Sequence, residues 1–273
     1  MKGVTRCGGT ARPGTRGFTL VEMLVSMGIF LVICGSAFTL LGVSQQRYAS
    51  ESQVVNSFQE ARLGLDQMVR DVSDAGYPPL NQFEDLAVLT PADYAVTPVA
   101  WSPNYPGIPC SMSGGACTTP EQWGMFIETN TSQTFGGMQY IRYKLNGTTL
   151  YRGVFPKNGQ DPYTAINDNQ LVPFVQNVMN NASPAQMAQI QAVYPGMFPG
   201  GLPVPLFQYW CPGPVGGSPV DCTSPAAGAN GIPTNISAIT VTLIVMTPTP
   251  DAQTGKVHVV QLTGRGTVMN TFQ

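Results

Sequence analysis

The feature that most constrains this chain is a long apolar segment close to its N-terminus. The segment spans the twenty-six residues 18–43, and Glu22 is the only charged residue within it. As a helix it would measure about 39 Å at a rise of about 1.5 Å per residue, enough to cross a bilayer hydrocarbon core of roughly 30 Å. Four basic residues precede it and only Arg47 follows closely, which predicts a cytoplasmic N-terminus. We therefore expect one membrane-spanning helix, with the chain after about residue 46 on the far side.

Two simple interpretations of this segment are a cleaved secretory signal peptide and a plain signal anchor, and neither fits all of its features. A cleaved secretory signal peptide usually has an apolar part of only about 7–15 residues, and the small residues Gly35-Ser36-Ala37 lie inside the run instead of after it. A plain signal anchor leaves Glu22 unexplained, because an ionised carboxylate inside a membrane costs about 2.5–3.5 kcal/mol or more unless it finds a partner. The carboxylate therefore indicates a functional position.

The composition favours a structural protein over an enzyme or a nucleic-acid-binding module. Charged residues make up 10% of the chain, against roughly 25% in ordinary soluble proteins. The 13 basic and 15 acidic residues show no cationic excess, so we expect no nucleic-acid partner. With His258 as the single histidine, a multi-histidine metal site is excluded and a catalytic triad is disfavoured. We expect no catalytic residues, no cofactor and no metal.

The residues around the start of the apolar segment resemble the N-terminal signal of type IV prepilins and pseudopilins. The matching run is Arg16-Gly17-Phe18-Thr19-Leu20-Val21-Glu22, in which a basic leader and a glycine precede an aromatic residue, a carboxylate and a long apolar tail. The resemblance implies a leader peptide of residues 1–17, cleavage between Gly17 and Phe18 by a prepilin peptidase, and N-methylation of Phe18. Glu22 would then be the fifth residue of the mature chain.

The physical chemistry of this arrangement gives Glu22 a role in docking subunits. Cleavage exposes a new amine on Phe18, which lies one helical turn from Glu22 in the same chain and can face that residue in a neighbouring subunit. Each charge is costly alone in a medium of low dielectric constant and much less so when paired. Removal of four basic residues changes the side-chain balance from 13 against 15 to 9 against 15, a net charge of −6.

Three glycines recur in the apolar segment at intervals of seven residues, at Gly28, Gly35 and Gly42. A spacing of seven residues places them on one face of a helix, and small residues allow membrane helices to pack closely. The alternative is the ordinary enrichment of glycine in membrane helices. Cys34, in the same segment, is expected to behave as an inert small apolar residue.

A polar helix with one apolar stripe continues from the membrane segment. The stripe follows alternating spacings of four and three and consists of Val54, Phe58, Ala61, Leu65, Met68 and Val72. No proline occurs from residue 18 to residue 77, so we predict one helix of about 55 residues that ends at Ala75-Gly76. Its amphipathic part, residues 44–76, needs a cover for the stripe. A β-sheet is the favoured cover and a two-stranded coiled coil the alternative.

A second resemblance concerns the end of this helix. Residues 62–72, followed by Ala75-Gly76-Tyr77, resemble the close of the long helix in PilW-type minor pilins, and the J-type pseudopilins of type II secretion share the architecture. This implies a subunit in the inner membrane, with a periplasmic C-terminal domain, that assembles with other major and minor pilins into a filament. The alternatives are a type II secretion pseudopilin and, from another class, a filament-tip adhesin or ligand-binding protein that uses its Pro/Gly-rich loops. A membrane-anchored enzyme is the least favoured.

Residues 77–273 are predicted to form a β-rich globular domain. Strands are expected over residues 123–129, 207–210, 239–245 and 257–262, with a short helix over 184–193 and an apolar stretch near 171–179. Residues 138–145 and 148–154 flank Asn146-Gly147, a strong signal for a type I′ hairpin. We therefore predict an α+β, pilin-like fold in which one antiparallel sheet of four to six strands wraps the helix.

The four cysteines outside the membrane segment are Cys110, Cys117, Cys211 and Cys222. An extracytoplasmic location permits their oxidation, and four cysteines allow three connectivities. We favour the local pairs, 110 with 117 and 211 with 222, and disfavour a zinc site because the usual spacing is missing. The run Asn167-Asp168-Asn169 with Asp161 could ligate calcium, although a solvated turn is the favoured interpretation, and His258 is expected to be superficial or hydrogen-bonded within the core.

Overall fold

The computed structural model describes residues 17–84, 87–130, 137–213, 217–251 and 254–270. The chain divides into two compact units, Met1–Ala49 and Ser50–Gln273, and each is described by itself. Helix α1 runs from Leu20 to Ser73 and therefore contributes to both units. Apart from Gly17, the predicted leader peptide lies outside the described residues.

In the first unit, α1 is a bare apolar helix. Its large apolar side chains are exposed, from Leu20 at 81% to Val43 at 38%. Three hydroxyl groups within the helix donate to backbone carbonyls: Ser26 to Glu22, Ser36 to Ile33 and Thr39 to Gly35. Such bonds satisfy the hydroxyl without an external partner. Among the described residues, α1 is the one helix long and apolar enough to cross a membrane, as judged by length and composition.

The second unit contains the remainder of α1 and the β-rich part of the chain. Its strands are β1 Val99–Ala100, β2 Gly124–Thr129, β3 Gln139–Asn146, β4 Thr149–Pro156, β5 Val172–Val175, β6 Phe207–Cys211, β7 Val220–Asp221, β8 Ala238–Met246 and β9 Val259–Thr267. Two further α-helices are α2 Pro162–Ala165 and α3 Pro184–Val193. Short 3-10 helices occur at Leu80–Gln82, Asp168–Gln170, Pro199–Gly201, Pro225–Asn230 and Pro233–Asn235.

The strands form two antiparallel sheets where the sequence analysis expected one. The first has the order β1-β2-β3-β4-β5 and the second the order β7-β6-β8-β9. The α+β class with a long N-terminal helix and antiparallel pairing is confirmed, but the expectation of a single sheet of four to six strands is wrong. The first sheet ends at β5, which contains Pro173. Proline has no amide hydrogen for a sheet ladder and is confined to edge strands.

The apolar stripe of α1 forms the centre of the main core. Ala61, Leu65, Met68 and Val72 are buried against side chains from both sheets, so the chain's own strands provide the cover that the stripe required. Near the start of the stripe burial is weaker, and Phe58 is still 37% exposed. The favoured interpretation of the stripe, a helix covered by sheet, is therefore confirmed over the coiled coil.

Two glycines of β9 allow this close packing. A Cβ atom on Gly266 would lie 2.6 Å from Cγ1 of Val72, and one on Gly264 would lie 2.8 Å from Cγ2 of Val69. Contacts that short require the structure to shift. Strand β9 extends to Thr267, five residues beyond its predicted end, and both glycines lie in the added part, where α1 approaches the sheet.

The hairpin between β3 and β4 forms at the predicted place with a shifted turn. Asn146 pairs with Thr149, so the two-residue loop is Gly147-Thr148 and not Asn146-Gly147. Gly147 has φ of 59°, whereas Thr148 is not among the residues with positive φ. A positive φ at the first loop position alone is the pattern of a type II′ turn. The predicted type I′ turn is therefore wrong, and the glycine takes the position that requires its freedom.

Candidate functional site

The N-terminal end of α1 is closed by a reciprocal pair of hydrogen bonds. The backbone amide and the hydroxyl of Thr19 each donate to Oε2 of Glu22, at 3.0 Å. In return, the amide of Glu22 donates to Oγ1 of Thr19 at 3.3 Å. This is the capping box, in which a Ser or Thr and a Glu or Gln three residues later satisfy two free amides of the first turn. The carboxylate that the sequence analysis assigned to docking thus also starts the helix.

The capping box uses one oxygen of the Glu22 carboxylate and leaves the other available. Both bonds from Thr19 go to Oε2, and Oε1 accepts no hydrogen bond from the residues that the structure describes. Phe18, whose amine would be released by the predicted cleavage, is exposed and directly precedes the capping threonine. The arrangement can therefore offer a negative charge to an external amine without opening the helix end.

The three glycines of the predicted packing face lie open along this part of α1. A Cβ atom built on Gly28, Gly35 or Gly42 would meet no atom of the described residues within 4 Å. The neighbouring apolar side chains are exposed as well, and Cys34 is partly exposed. This exposed apolar surface is suited to contact with lipid or with another helix.

The cysteines of the second unit are joined as two local disulfides. Cys110 bonds to Cys117 with an S–S distance of 2.09 Å, and Cys211 bonds to Cys222 with an S–S distance of 2.06 Å. These are the two pairs that the sequence analysis favoured, and each bond closes a short loop.

The two disulfide-closed loops lie in the same part of the second unit. The amide of Met112, inside the first loop, donates to the carbonyl of Gly231 at 2.8 Å. The hydroxyl of Ser113 donates to the carbonyl of Gly228 at 3.1 Å, and this segment follows the second disulfide. Sequence reasoning missed this proximity, because more than 100 residues separate the partners along the chain.

The residues considered for calcium binding are engaged by their own chain. Asp161 caps α2 through the amide of Tyr163 and accepts a hydrogen bond from Ser102. Asp168 pairs with Lys144 and lies 3.8 Å from Nε of Arg142. Within the described ranges, no group of three or more histidine, cysteine, aspartate or glutamate side chains could hold a metal ion.

His258 is similarly part of the local structure. Its backbone amide donates to Oγ1 of Thr247 at 3.1 Å, and its side chain borders a small cavity beside Val54 and Phe58 of α1. The structure thus places the single histidine next to the apolar stripe.

Sequence reasoning did not anticipate the buried charges of the second unit. Glu128 and Lys157 form an ion pair at 2.6 Å with both side chains fully buried. The Arg142 side chain is also fully buried, with its guanidinium carbon 4.2 Å from the ring centre of Phe126. Its three nitrogen atoms have no hydrogen-bond partner among the described residues. The available signal of this burial was the presence of charged residues within predicted strands. Because charged residues in strands are more often exposed, that signal does not predict burial.

A further buried carboxylate, Asp71, joins α1 to the first sheet. Its Oδ2 accepts hydrogen bonds from the hydroxyl of Tyr143 at 2.6 Å and from Nη2 of Arg152 at 2.9 Å. Its Oδ1 accepts from Nε2 of Gln67 at 2.7 Å. Asp71 follows Met68 by three residues, so it lies on the apolar stripe, and this position was the available signal of its burial.

Comparison with known proteins identifies the N-terminal motif and little else. Residues 12–38 match the family model of the prokaryotic N-terminal methylation motif. No curated protein and no solved structure matches the chain. The motif supports a type IV pilin-like protein or pseudopilin. Such a protein is a structural subunit and not an enzyme. The motif implies processing by a prepilin peptidase, assembly with other pilins and anchoring in a membrane.

Proposed function

We propose that the chain is a PilW-like minor pilin that takes part in assembling or initiating a type IV pilus. The observation that carries the proposal is the capping box of Thr19 and Glu22 at the start of the bare apolar helix, inside the matched motif. The resemblance of residues 62–77 to PilW-type helices supports the subtype.

Processing is the first step of the proposed function. The leader, residues 1–17, is cleaved between Gly17 and Phe18 on the cytoplasmic face, and the amine of Phe18 is then methylated. A Cβ atom on Gly17 would meet no atom of the described residues within 4 Å, and we assign the advantage of glycine to close approach by the peptidase. The mature helix remains in the inner membrane, with the globular unit in the periplasm.

Docking is the second step, and Glu22 performs it. The amine of a neighbouring subunit binds Oε1, while Oε2 keeps the two bonds from Thr19. The pair is attractive in the membrane because neither charge has water as an alternative partner. Once docked, the glycine face at Gly28, Gly35 and Gly42 allows a second helix to approach closely, and the subunit leaves the membrane for the filament.

Two alternatives have some support. A J-type pseudopilin of type II secretion would use the same processing and docking chemistry. A filament-tip adhesin or ligand-binding protein is favoured by the contact between the first disulfide-closed loop and the segment that follows the second disulfide, since binding surfaces are commonly built from loops on a rigid scaffold. This role could accompany assembly.

Two substitutions at one position separate docking from helix capping. Glu22→Gln keeps the capping box, which accepts Glu or Gln, but removes the charge. Glu22→Ala removes both the capping box and the charge. If docking depends on the charge, both variants are cleaved before Phe18, as shown by N-terminal mass analysis, and both are lost from sheared filaments. Incorporation of Glu22→Gln at the parental level would contradict the pairing mechanism.

Cleavage and genetic context test the rest of the proposal. Replacement of Gly17 by leucine is expected to leave the leader attached, visible as a heavier chain. A mature chain that begins at any residue other than Phe18 would overturn the processing step. Adjacent genes for other short prepilin-like chains would favour a pilus, and adjacent genes for a secretion ATPase, a secretin and exported hydrolases would favour type II secretion.

A further inference from the structure

The buried pair of Glu128 and Lys157 connects the two strands that flank β3. Glu128 lies in β2, and Lys157 directly follows β4. Nζ of Lys157 is 2.6 Å from Oε2 of Glu128, and neither side chain has exposed surface. Nζ also donates to the carbonyl of Tyr94 at 2.7 Å, and Oε2 accepts from the amide of Val96 at 2.9 Å. These bonds hold the amine against the carboxyl group.

The environment of the pair is dry and aromatic. Nζ lies 5.5 Å from the ring centre of Tyr105 and 5.9 Å from that of Tyr94. Oε1 of Glu128 and the hydroxyl of Tyr105 are both buried without a hydrogen bond of standard geometry within the described part of the chain, and the two groups interact electrostatically. An acceptor and a donor of complementary type therefore lie beside the ion pair.

Burial acts on both members of the pair in the direction of their neutral forms. It raises the pKa of the Glu128 carboxyl group and lowers the pKa of the Lys157 ammonium group, although the attraction between the two opposes each effect. A proton transfer from Nζ to the carboxyl group therefore costs much less here than in water. It produces an uncharged amine in contact with a carboxylic acid, the state in which an amine is nucleophilic.

The geometry points to an intramolecular amide between Lys157 and Glu128. In the reaction, Nζ attacks Cδ of Glu128, a bond between Nζ and Cδ forms, and one bond between Cδ and a carboxyl oxygen breaks. That oxygen leaves as water with two protons that come from the ammonium group, so charge and atoms balance and no oxidant or co-reactant is needed. The hydroxyl of Tyr105 stabilises the negative charge that develops on the remaining oxygen.

Proximity and exclusion of water favour this reaction at the buried pair of Glu128 and Lys157, and not at a second ion pair that water can reach. Groups held in contact react as if their concentration were raised to about 10⁵–10⁸ M, and a dry site does not supply water for the reverse reaction. Lys144 and Asp168 also form a close ion pair, but their side chains are 36% and 38% exposed. Because water reaches that pair, its charged forms persist, and it is the internal control.

The amide would close a covalent loop of 30 residues, from 128 to 157, around β3. Such a bond would prevent β2 and β4 from separating even when the hydrogen bonds of the sheet break. Its effect would therefore be greatest when the chain is stretched or denatured.

The test is mass analysis of the full chain, purified in detergent with its disulfides reduced and alkylated. We expect an intact mass lower than the calculated mass by one water molecule. After chymotrypsin digestion, the peptide 127–135 should be found joined to the peptide 152–163, and the peptides that contain Lys144 and Asp168 should be separate. An intact mass equal to the calculated value, with these peptides apart, would overturn the inference.

Two variants assign the water loss to this site. Lys157→Arg keeps a positive charge but cannot form the same bond, so it should have the full calculated mass. A loss of one water in that variant would place the reaction elsewhere and refute the assignment. Tyr105→Phe keeps the ring and removes the hydroxyl, so amide formation should be at least tenfold slower in a time course after synthesis. An unchanged rate would refute the role given to the hydroxyl.

Discussion

Removal of the Asp71 carboxylate is expected to destabilise the second unit strongly. Asp71→Ala leaves the Tyr143 hydroxyl without its acceptor and Arg152 without its counter-ion. Breaking a buried pair by removing one partner costs about 3–5 kcal/mol. Arg152 remains 23% exposed and can recover some hydration, so we expect the lower end, about 3 kcal/mol. At about 2–4 °C per kcal/mol for a unit of this size, the melting temperature should fall by roughly 6–12 °C.

The assay is thermal unfolding of the full chain in detergent, followed by near-ultraviolet circular dichroism of the buried aromatic residues. Asp66→Ala is the matched control, because Asp66 lies on the same helix and is exposed, and its effect should be within about 0.5 kcal/mol. The double variant of Asp71→Ala with Arg152→Ala should lose less than the sum of the single variants. A change below about 0.5 kcal/mol for Asp71→Ala, or strict additivity, would refute the reasoning.

Three further predictions concern packing, pH and the disulfides. Gly266→Ala should destabilise the protein by about 1–3 kcal/mol through overpacking, whereas Gly196→Ala, at an open position, should have little effect in the same unfolding assay. Burial raises the pKa of Glu121, so the folded state binds an extra proton and loses stability as the pH rises through that pKa. Glu121→Gln should therefore be stabilising at pH 7 relative to the parent, with a smaller difference at pH 4. Paired replacement of Cys211 and Cys222 by serine should cost about 2–4 kcal/mol, measured by denaturant unfolding.

Those parts of the fold that depend on local periodicity were predictable from the sequence. The apolar segment, the stripe of the amphipathic helix and the alternation in β8 each repeat over enough residues to distinguish a helix from a strand. Helix α3 was predicted with the bounds that the structure gives it, and the structure shows a capping box of Ser183 and Gln186 at its start. The pairing of Cys110 with Cys117 was favoured because the two residues are close along the chain.

What could not be predicted depends on contacts between distant segments. Pro173 marks β5 as an edge strand, but no local pattern indicates that β6 belongs to a second sheet or that Glu128 finds Lys157 29 residues later. In a sequence, Arg142 is the same charged residue in a strand whether it faces water or an aromatic ring. In a sequence, Gly264 indicates an unstable position within a strand. In the structure a glycine is required there, because a Cβ atom would lie too close to side chains of α1.

The capping box at the start of α1 does not by itself explain why residue 22 carries a charge. As a capping residue, glutamine would serve as well as glutamate, so the start of α1 does not require a negative charge. An unpaired charge costs about 2.5–3.5 kcal/mol at the centre of a membrane helix, and less near the helix end, where Glu22 lies. Within one chain, Oε1 has no donor among the described residues. In the first turn of a helix a negative charge is favoured by the helix dipole. In the docking that we propose, it also binds the amine of a processed neighbouring subunit, which is the cation that the motif implies.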